Sequence, residues 1–439
     1  GGGISGTVVK TGDGTLSLSR DAFNASGDGT LVIESGTLDL LTDGATSNVL
    51  SANLNITLGE NAVMKVSHAF TSITGTGTLT MGNGSKLRLW NGNTWADRSI
   101  NMQIRLDAGE GGYAIIDGAA NGNNATLTSA ITGTGGLKII SDVGGNGWNF
   151  KTGWVKNSYD GDTEIAGTGG NISLTYNVGT ASVAAGQVLT PWGQGSVTLG
   201  GSEKNVTVTF NGLNAAAADG DVTLKGTNAA TVLNVFTGIT GTATLNGKVS
   251  VETSGTGTAT IASGDSLKML GGLGGTGTLA VNTRNNAGAL TLGGDVSGFS
   301  GTLNLSGANL YLNADTPLAG TLNASTAKVT ALRKQNVTGT LNAASLAVDG
   351  SALSSDGATL TGSNLALGAD AGVSLDINGN ITAGTYTLVS WDNLTAGNFA
   401  DAGTMTLTGT LASLYQGTFN VNTGDKTVTV SVSMADGVV

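Results

Sequence analysis

The chain contains no cysteine. That excludes a disulfide framework, a thiolate metal site and a thiol nucleophile. Proline is almost absent: Pro191 and Pro317 are the only two among 439 residues. With so little proline and no glycine at every third position, collagen is excluded. Charge is scarce too. Asp, Glu, Lys and Arg make up 11% of the chain, against about 25% in an ordinary globular domain. There is one histidine, His68, in the strand-like stretch 66–70. A Ser-His-Asp relay or a multi-histidine metal site would rest on that residue alone, so no metal or other cofactor is expected. No run of about 18 apolar residues occurs, which excludes a transmembrane helix. The chain opens at Gly1 without Met or a leader and ends at Val439 without an anchor, so it is expected to be a mature or an excised segment.

What is present is glycine, 73 residues of it, and a 39% hydrophobic share. Disordered chains pair low hydrophobicity with high charge and much proline; this chain does the opposite and is expected to fold. Its net charge is −11. The few cations are scattered and outnumbered, so a nucleic-acid partner, which calls for a basic face, is not expected.

Periodicity organises the rest. Gly301-Thr-Leu303, Gly320-Thr-Leu322 and Gly339-Thr-Leu341 stand 19 apart, and Ala358-Thr-Leu360 follows at the same step. Leu310, Val329, Val348 and Leu367 form a second column at that spacing, and Phe299, Leu318 and Val337 a third. A looser motif, apolar-x-Gly-Thr-x-x-Leu, covers Ile73–Leu79, Ile131–Leu137 and Ile239–Leu245. Leu273–Leu279 is a variant, with Gly at its second position. Stretches such as Thr15-Leu-Ser-Leu18 and Lys426-Thr-Val-Thr-Val-Ser-Val432 alternate apolar and polar residues with period two. Gly-Asp, Asn-Gly and Ser-Gly pairs punctuate them. A propeller blade needs about 40 residues, and a sandwich would hold no fixed period. The pattern predicts an all-β right-handed parallel β-helix, a β-solenoid of roughly 20 coils of about 19–25 residues, with strands about 4.8 Å apart. Both ends are expected to expose strand edges, with no evident cap. Three regions are expected: N-terminal coils over 1–84, irregular aromatic-rich coils with protruding loops over 85–192, and regular coils with C-terminal strands over 193–439.

Lys10, Gly12, Gly14, Thr15, Leu16, Leu18 and Ser19, followed by Gly36, Leu38 and Leu40, resemble the autotransporter-associated β-strand repeat of bacterial passenger domains. Asn157, Tyr159, Gly161, Thr163 and Ile165 fit the middle element of a second copy, and Ala383–Ser390 looks like the end of such passengers. The resemblance covers about half the chain. It implies a β-helix exported to the cell surface or secreted, acting as adhesin, stalk or fibre, and it leaves activity open. The C-terminal stretch lacks the alternating strands and aromatic girdles of an outer-membrane barrel.

Five of the six tryptophans fall within 85–192. Trp90, Trp95, Tyr113, Trp148, Trp154 and Tyr159 are candidates for a glycan- or partner-binding surface, since aromatic faces beside Asn and Asp suit sugar rings. The competing reading is that they pack a corner of the core or a loop. Paired carboxylates would be needed for a lyase or glycoside hydrolase. Candidates are Asp97, Asp107, Glu110, Asp117, Asp160 and Asp162, with Arg98 and Arg105 as charge partners; solvated or turn-capping acids are the alternative. A non-enzymatic role is expected. The other readings are a polysaccharide-binding or polysaccharide-degrading protein, and self-association into filaments.

Overall fold

A computed structural model describes residues 4–19, 27–41, 48–51, 53–66, 70–89, 98–118, 124–142, 148–152, 157–177, 188–211, 217–236 and 241–436. The chain is an all-β solenoid of parallel strands, and its only helices among the described residues are four 3-10 turns. Two compact units form: residues 1–238 with 254–258, and residues 239–253 with 259–439. The ladders run without a break past both 84 and 192: Lys86–Leu89 pairs with Val63–Val66, and Thr163–Ile165 pairs with Val197–Leu199.

In the first unit each coil lays strands on up to three faces. The first face stacks Thr7–Lys10, Thr30–Ile33, Asn55–Leu58, Thr78–Gly82, Gln103–Asp107 and Ile131–Thr134 in parallel order. The second face starts at Thr15–Ser19 and continues to Val222–Thr227. The third runs from Asn48–Ser51 to Ala230–Phe236. Alternation along each strand sends every second side chain inward. The inward column of the second face reads Leu38, Met64, Leu87, Ile116, Ile139, Ile165, Leu199 and Leu224, each paired with the next and each at most 1% exposed.

The Gly-Thr motif marks corners. Ile73 ends a third-face strand and Leu79 lies on the first face of the next coil. Ile131 is on the first face and Leu137 on the second. In the second unit Leu273 lies in the strand Leu273–Gly275 and Leu279 in Thr278–Asn282, the strand that follows. The two copies in the first unit therefore stand at two different corners.

In the second unit the leucines of Gly-Thr-Leu form the expected column. Leu279, Leu303, Leu322 and Leu341 pair in series and are buried. The glycines before them stack as well. A Cβ on Gly320 would meet the Gly301 carbonyl oxygen at 2.7 Å, and one on Gly339 the Gly320 oxygen at 2.1 Å. Glycine recurs there because backbone passes over backbone.

The 19-residue register ends one coil sooner than the sequence predicts. Thr302, Thr321 and Thr340 pair 19 apart, and Leu318 bridges Val337. Leu341, however, pairs with Leu365 and not Leu360, while Leu360 faces Gln335. Val329 pairs with Leu346 and not Val348, and Leu367 faces Ala343. The register slips between Ala324 and Lys328, and a 3-10 turn at Gly350–Ala352 lengthens the following coil. Corners set coil length, and the strands re-pair around them. Longer coils also explain why the coils are fewer than the roughly 20 expected: Thr7 pairs with Thr30, Lys86 with Ile115 and Thr163 with Val197.

Asparagine holds successive coils together. Asn55 Oδ1 accepts from Thr78 N at 3.0 Å, Asn171 from Asn205 N at 3.0 Å and Asn205 from Ala230 N at 2.9 Å. Asn323 Nδ2 donates to Asn304 Oδ1 at 3.0 Å. Asn61, Asn228 and Asn286 take the left-handed conformation at turns.

The expectation of an uncapped C-terminal end is corrected by the last strands. Gly384–Ala396 pairs in parallel with Leu360–Leu367 on one side. On the other, its Gly384–Ser390 half is met by antiparallel Thr427–Met434, which also pairs with Tyr415–Asn422. Val428 and Val430 are fully buried there. The hairpin thus covers the Gly384–Ser390 part of this strand, overlapping its parallel-paired part at Val389 and Ser390. At the other end, Val8 and Val9 are 43% and 50% exposed on the first strand.

Two outcomes follow. Leu322→Ala should cost about 2–5 kcal/mol in a urea melt, the range for a cavity in a closed core; a cost under half of that would mean the column can collapse. Truncation after Asp425 should open the Gly384–Ser390 edge and produce concentration-dependent oligomers by light scattering, whereas a monodisperse monomer would show that the edge needs no cover.

Candidate functional site

Of the residues singled out in the sequence, Trp90, Trp95, Trp154, Asp97 and His68 lie outside the described residues. Trp148 opens the strand Trp148–Thr152, where its backbone pairs with Ile172, and Arg98 opens Arg98–Ile100.

Tyr159 is inside the solenoid at 1% exposure, which corrects its assignment to a binding surface. Its hydroxyl shares a hydrogen bond with Thr163 Oγ1, which also donates to Trp192 O. Trp192 is likewise fully buried. Its ring meets Phe210 edge-on at 5.5 Å, Phe210 stacks on Tyr176 at 4.9 Å, and its Nε1 donates to Asp219 O at 2.6 Å. Burial pushes the Tyr159 and Tyr176 phenols well above their ordinary pKa. These rings fill the widest coil, in which Thr163 pairs with Val197, 34 residues on.

The acids do not gather into a catalytic pair among the described residues. Asp160 Oδ1 accepts from Gly135 N at 2.8 Å, and Asp162 Oδ1 accepts from Ser196 N and Oγ at 2.8 and 2.9 Å. Both cap backbone. Asp107 and Arg105 lie on the first face in Gln103–Asp107, and Glu110 in the exposed turn after it. Asp117 is on the second face, with its side chain at 0% exposure. Arg88 Nε stands 3.3 Å and Lys86 Nζ 3.8 Å from its Oδ2, and both cations also reach Asp142. The Arg88 contact is a charge contact without an aligned hydrogen bond. Burial raises the Asp117 pKa, while Arg88 and Lys86 pull it down by less. A raised carboxyl is what general-acid catalysis uses, but one sealed from solvent cannot touch a substrate.

The outward side of the second face holds the most developed site. Its outward column reads Lys86, Ile115, Lys138, Glu164, Thr198 and Thr223, each beside the next. Tyr113 begins the strand Tyr113–Asp117, with its N–H held by Asn83 Oδ1 at 3.1 Å. Its ring reclines over Gly136, where a Cβ would stand 2.5 Å from Cε1. Lys138 Nζ is 4.7 Å from the ring centroid and 2.8 Å from Glu164 Oε2. Beyond the ring opens a groove of about 410 Å³. Ala166, Gly200 and Gly201 lower its floor, and Tyr113, Glu164, Thr198 and Lys225 rise around it. Of the six aromatic candidates, Tyr113 is the one among the described side chains that borders this groove.

A second groove, of about 310 Å³, lies in the second unit beside Trp391, with Asn336, Thr361, Ser390, Asp392 and Lys426 around it. Trp391 is the tryptophan outside 85–192; it is 8% exposed and lies 4.7 Å from Phe399, ring to ring. Its place directly after the Ala383–Ser390 stretch is the sequence signal that could have marked it.

Asp117 sets a pH dependence. Its proton is bound more tightly in the folded chain than in the unfolded one. The stability this contributes is full below the unfolded pKa, near 4, and fades as pH rises through the raised folded value. Asp117→Asn removes the group, so the difference in Tm between the variant and the parent should move in the variant's favour as pH rises above about 4. A flat or opposite difference would show that Arg88 and Lys86 outweigh burial. Compared with known proteins, the chain matches no family model, no curated protein and no solved structure.

Proposed function

We propose that this chain is an extracellular β-solenoid of the autotransporter-passenger kind, displayed on or secreted from a bacterium, that acts without catalysis as an adhesin, stalk or structural fibre. One observation carries this reading: the polar side chains that would serve chemistry elsewhere serve coil stacking here. Asp160 and Asp162 cap backbone amides, as the asparagines do. Lys65–Asp39 and Lys138–Glu164 bind one coil to the next.

In the two copies, the residues that carry the resemblance lie on or beside the second face. Thr15, Leu16, Leu18 and Ser19 form a second-face strand, and Leu38 and Leu40 are inward residues of the strand that pairs with it. Asn157 and Tyr159 secure a corner, and Thr163 and Ile165 belong to the next second-face strand. A filament built by end-to-end stacking has less support, because the Gly384–Ser390 edge is already taken by Thr427–Met434.

The reading is tested by fusing the chain ahead of an outer-membrane β-barrel in a bacterium. The expected outcome is a surface-exposed, protease-resistant chain that raises attachment of the cells to host-cell or polysaccharide-coated surfaces. Release of oligosaccharides from a polysaccharide panel by the purified chain, at a rate above the heat-denatured control, would sink the non-catalytic reading.

A further inference from the structure

We propose that the groove bordered by Tyr113, Glu164, Thr198 and Lys225 is a binding site for a neutral saccharide. This goes beyond surface display, since it concerns the isolated chain and holds whether that chain is anchored or free.

The groove arises where the outward rows of the second face change character. Up to Asp117 the rows carry long charged side chains: Asp39, Lys65 and Arg88 stand in series, with Asp117 next. In that same row Ile140 then pairs with Ala166, and Gly200 pairs with Lys225 two coils on. Small residues leave a trough, while the neighbouring row keeps Lys138, Glu164 and Thr198 as a rail. A volume of about 410 Å³ falls in the range of small-molecule sites.

The lining selects the ligand. Glu164 and Asp162 offer carboxylate oxygens, which only accept hydrogen bonds; Lys225 only donates; the Thr198 hydroxyl does both. Asp162 uses Oδ1 on Ser196, which leaves Oδ2 and Thr198 Oγ1 for an incoming group. A sugar hydroxyl both donates and accepts, so vicinal hydroxyls suit the acids and the Thr198 hydroxyl together. Glu164 and Asp162 stand against Lys225 and the Glu164-bound Lys138, so the groove has no net formal charge with which to favour an anion or a cation. Lys138 is committed to Glu164 at 2.8 Å, so the rail carries no lone cation. The Tyr113 ring, with Gly136 beneath it and Lys138 over it, gives the groove an apolar edge for a sugar's C–H groups. Gly136 lets it lie flat, since any Cβ there would collide with the ring.

The test uses the soluble chain on an array of neutral, acidic and amino-bearing oligosaccharides, followed by calorimetry on the best hit. Neutral glycans should bind. The double variant Glu164→Gln/Thr198→Val should weaken binding by at least about tenfold, as expected for losing a charge-assisted and a neutral hydrogen bond. Both side chains point outward, and a part-exposed pair such as Lys138–Glu164 adds little stability, so its Tm should fall only slightly; a variant that fails to fold is replaced by Tyr113→Ala, which should weaken the same glycans. Thr223→Val, one coil along the same row but outside the groove, should leave affinity unchanged. The assignment is overturned if no neutral glycan binds, if acidic glycans alone bind, or if the double variant and Tyr113→Ala bind as the parent does. None of these outcomes bears on whether the fused chain reaches a cell surface.

Discussion

Apart from the antiparallel pairings of the last strands, the described strands find their backbone partners in neighbouring coils, and everything else answers to that constraint. A parallel ladder fixes neighbouring strands about 4.8 Å apart, so a side chain lies directly over its counterpart one coil away. An inward position must then be apolar in coil after coil, as in the run from Leu38 to Leu224. A corner where backbone crosses backbone must be glycine, as at Gly301, Gly320 and Gly339. An outward position wants a residue that tolerates its own image. Threonine and asparagine meet that condition, because hydroxyls and amides both donate and accept: Thr302, Thr321 and Thr340 stack in one row and Asn304, Asn323 and Asn342 in the next.

The same constraint explains what interrupts the repeat. Strands pair locally, so a corner can gain residues without disturbing the ladder. The coil that carries Thr163 to Val197 is the widest case. The space it opens is filled by Tyr159, Trp192, Tyr176 and Phe210 and closed by polar contacts from Asn157 and Trp192. A ladder must also end, and its last strand would offer a free edge. Antiparallel Thr427–Met434 covers the Gly384–Ser390 part of that edge by a change of direction.

The fold is legible in the sequence wherever the constraint acts within one period. The buried leucines of Gly-Thr-Leu follow from spacing alone, because Gly, Thr and Leu each answer a distinct demand of the corner and the strand after it. Leu360 and Val348 are misplaced by the same counting, since a slip between Ala324 and Lys328 leaves no mark on the apolar pattern. The aromatic-rich region is visible as composition, yet composition does not tell the direction of a side chain. Tyr159 and Tyr113 look alike in sequence; one fills the interior and the other borders a groove. The groove itself could not be read off. Its rail joins Lys138, Glu164 and Thr198 through steps of unequal length, and only the ladder shows that they are neighbours.

A surface built from repeats is monotonous by construction, and this bears on where recognition can reside. Like charges cannot stack closely without cost, so charge enters such a surface only in compensated runs. Lys65 lies beside Arg88 on the second face, and the pair is tolerated because Asp39 stands 3.4 Å from one and Asp117 3.3 Å from the other. Such a run presents no net demand to a ligand. A distinctive set of donors and acceptors needs a place where stacking partners change type within a few coils. On the second face that place is the step from Ile140 to Ala166, beside the Lys138–Glu164 pair. Specificity on a solenoid of this kind therefore belongs to the breaks in its rows, and the regular coils on either side hold those breaks in position.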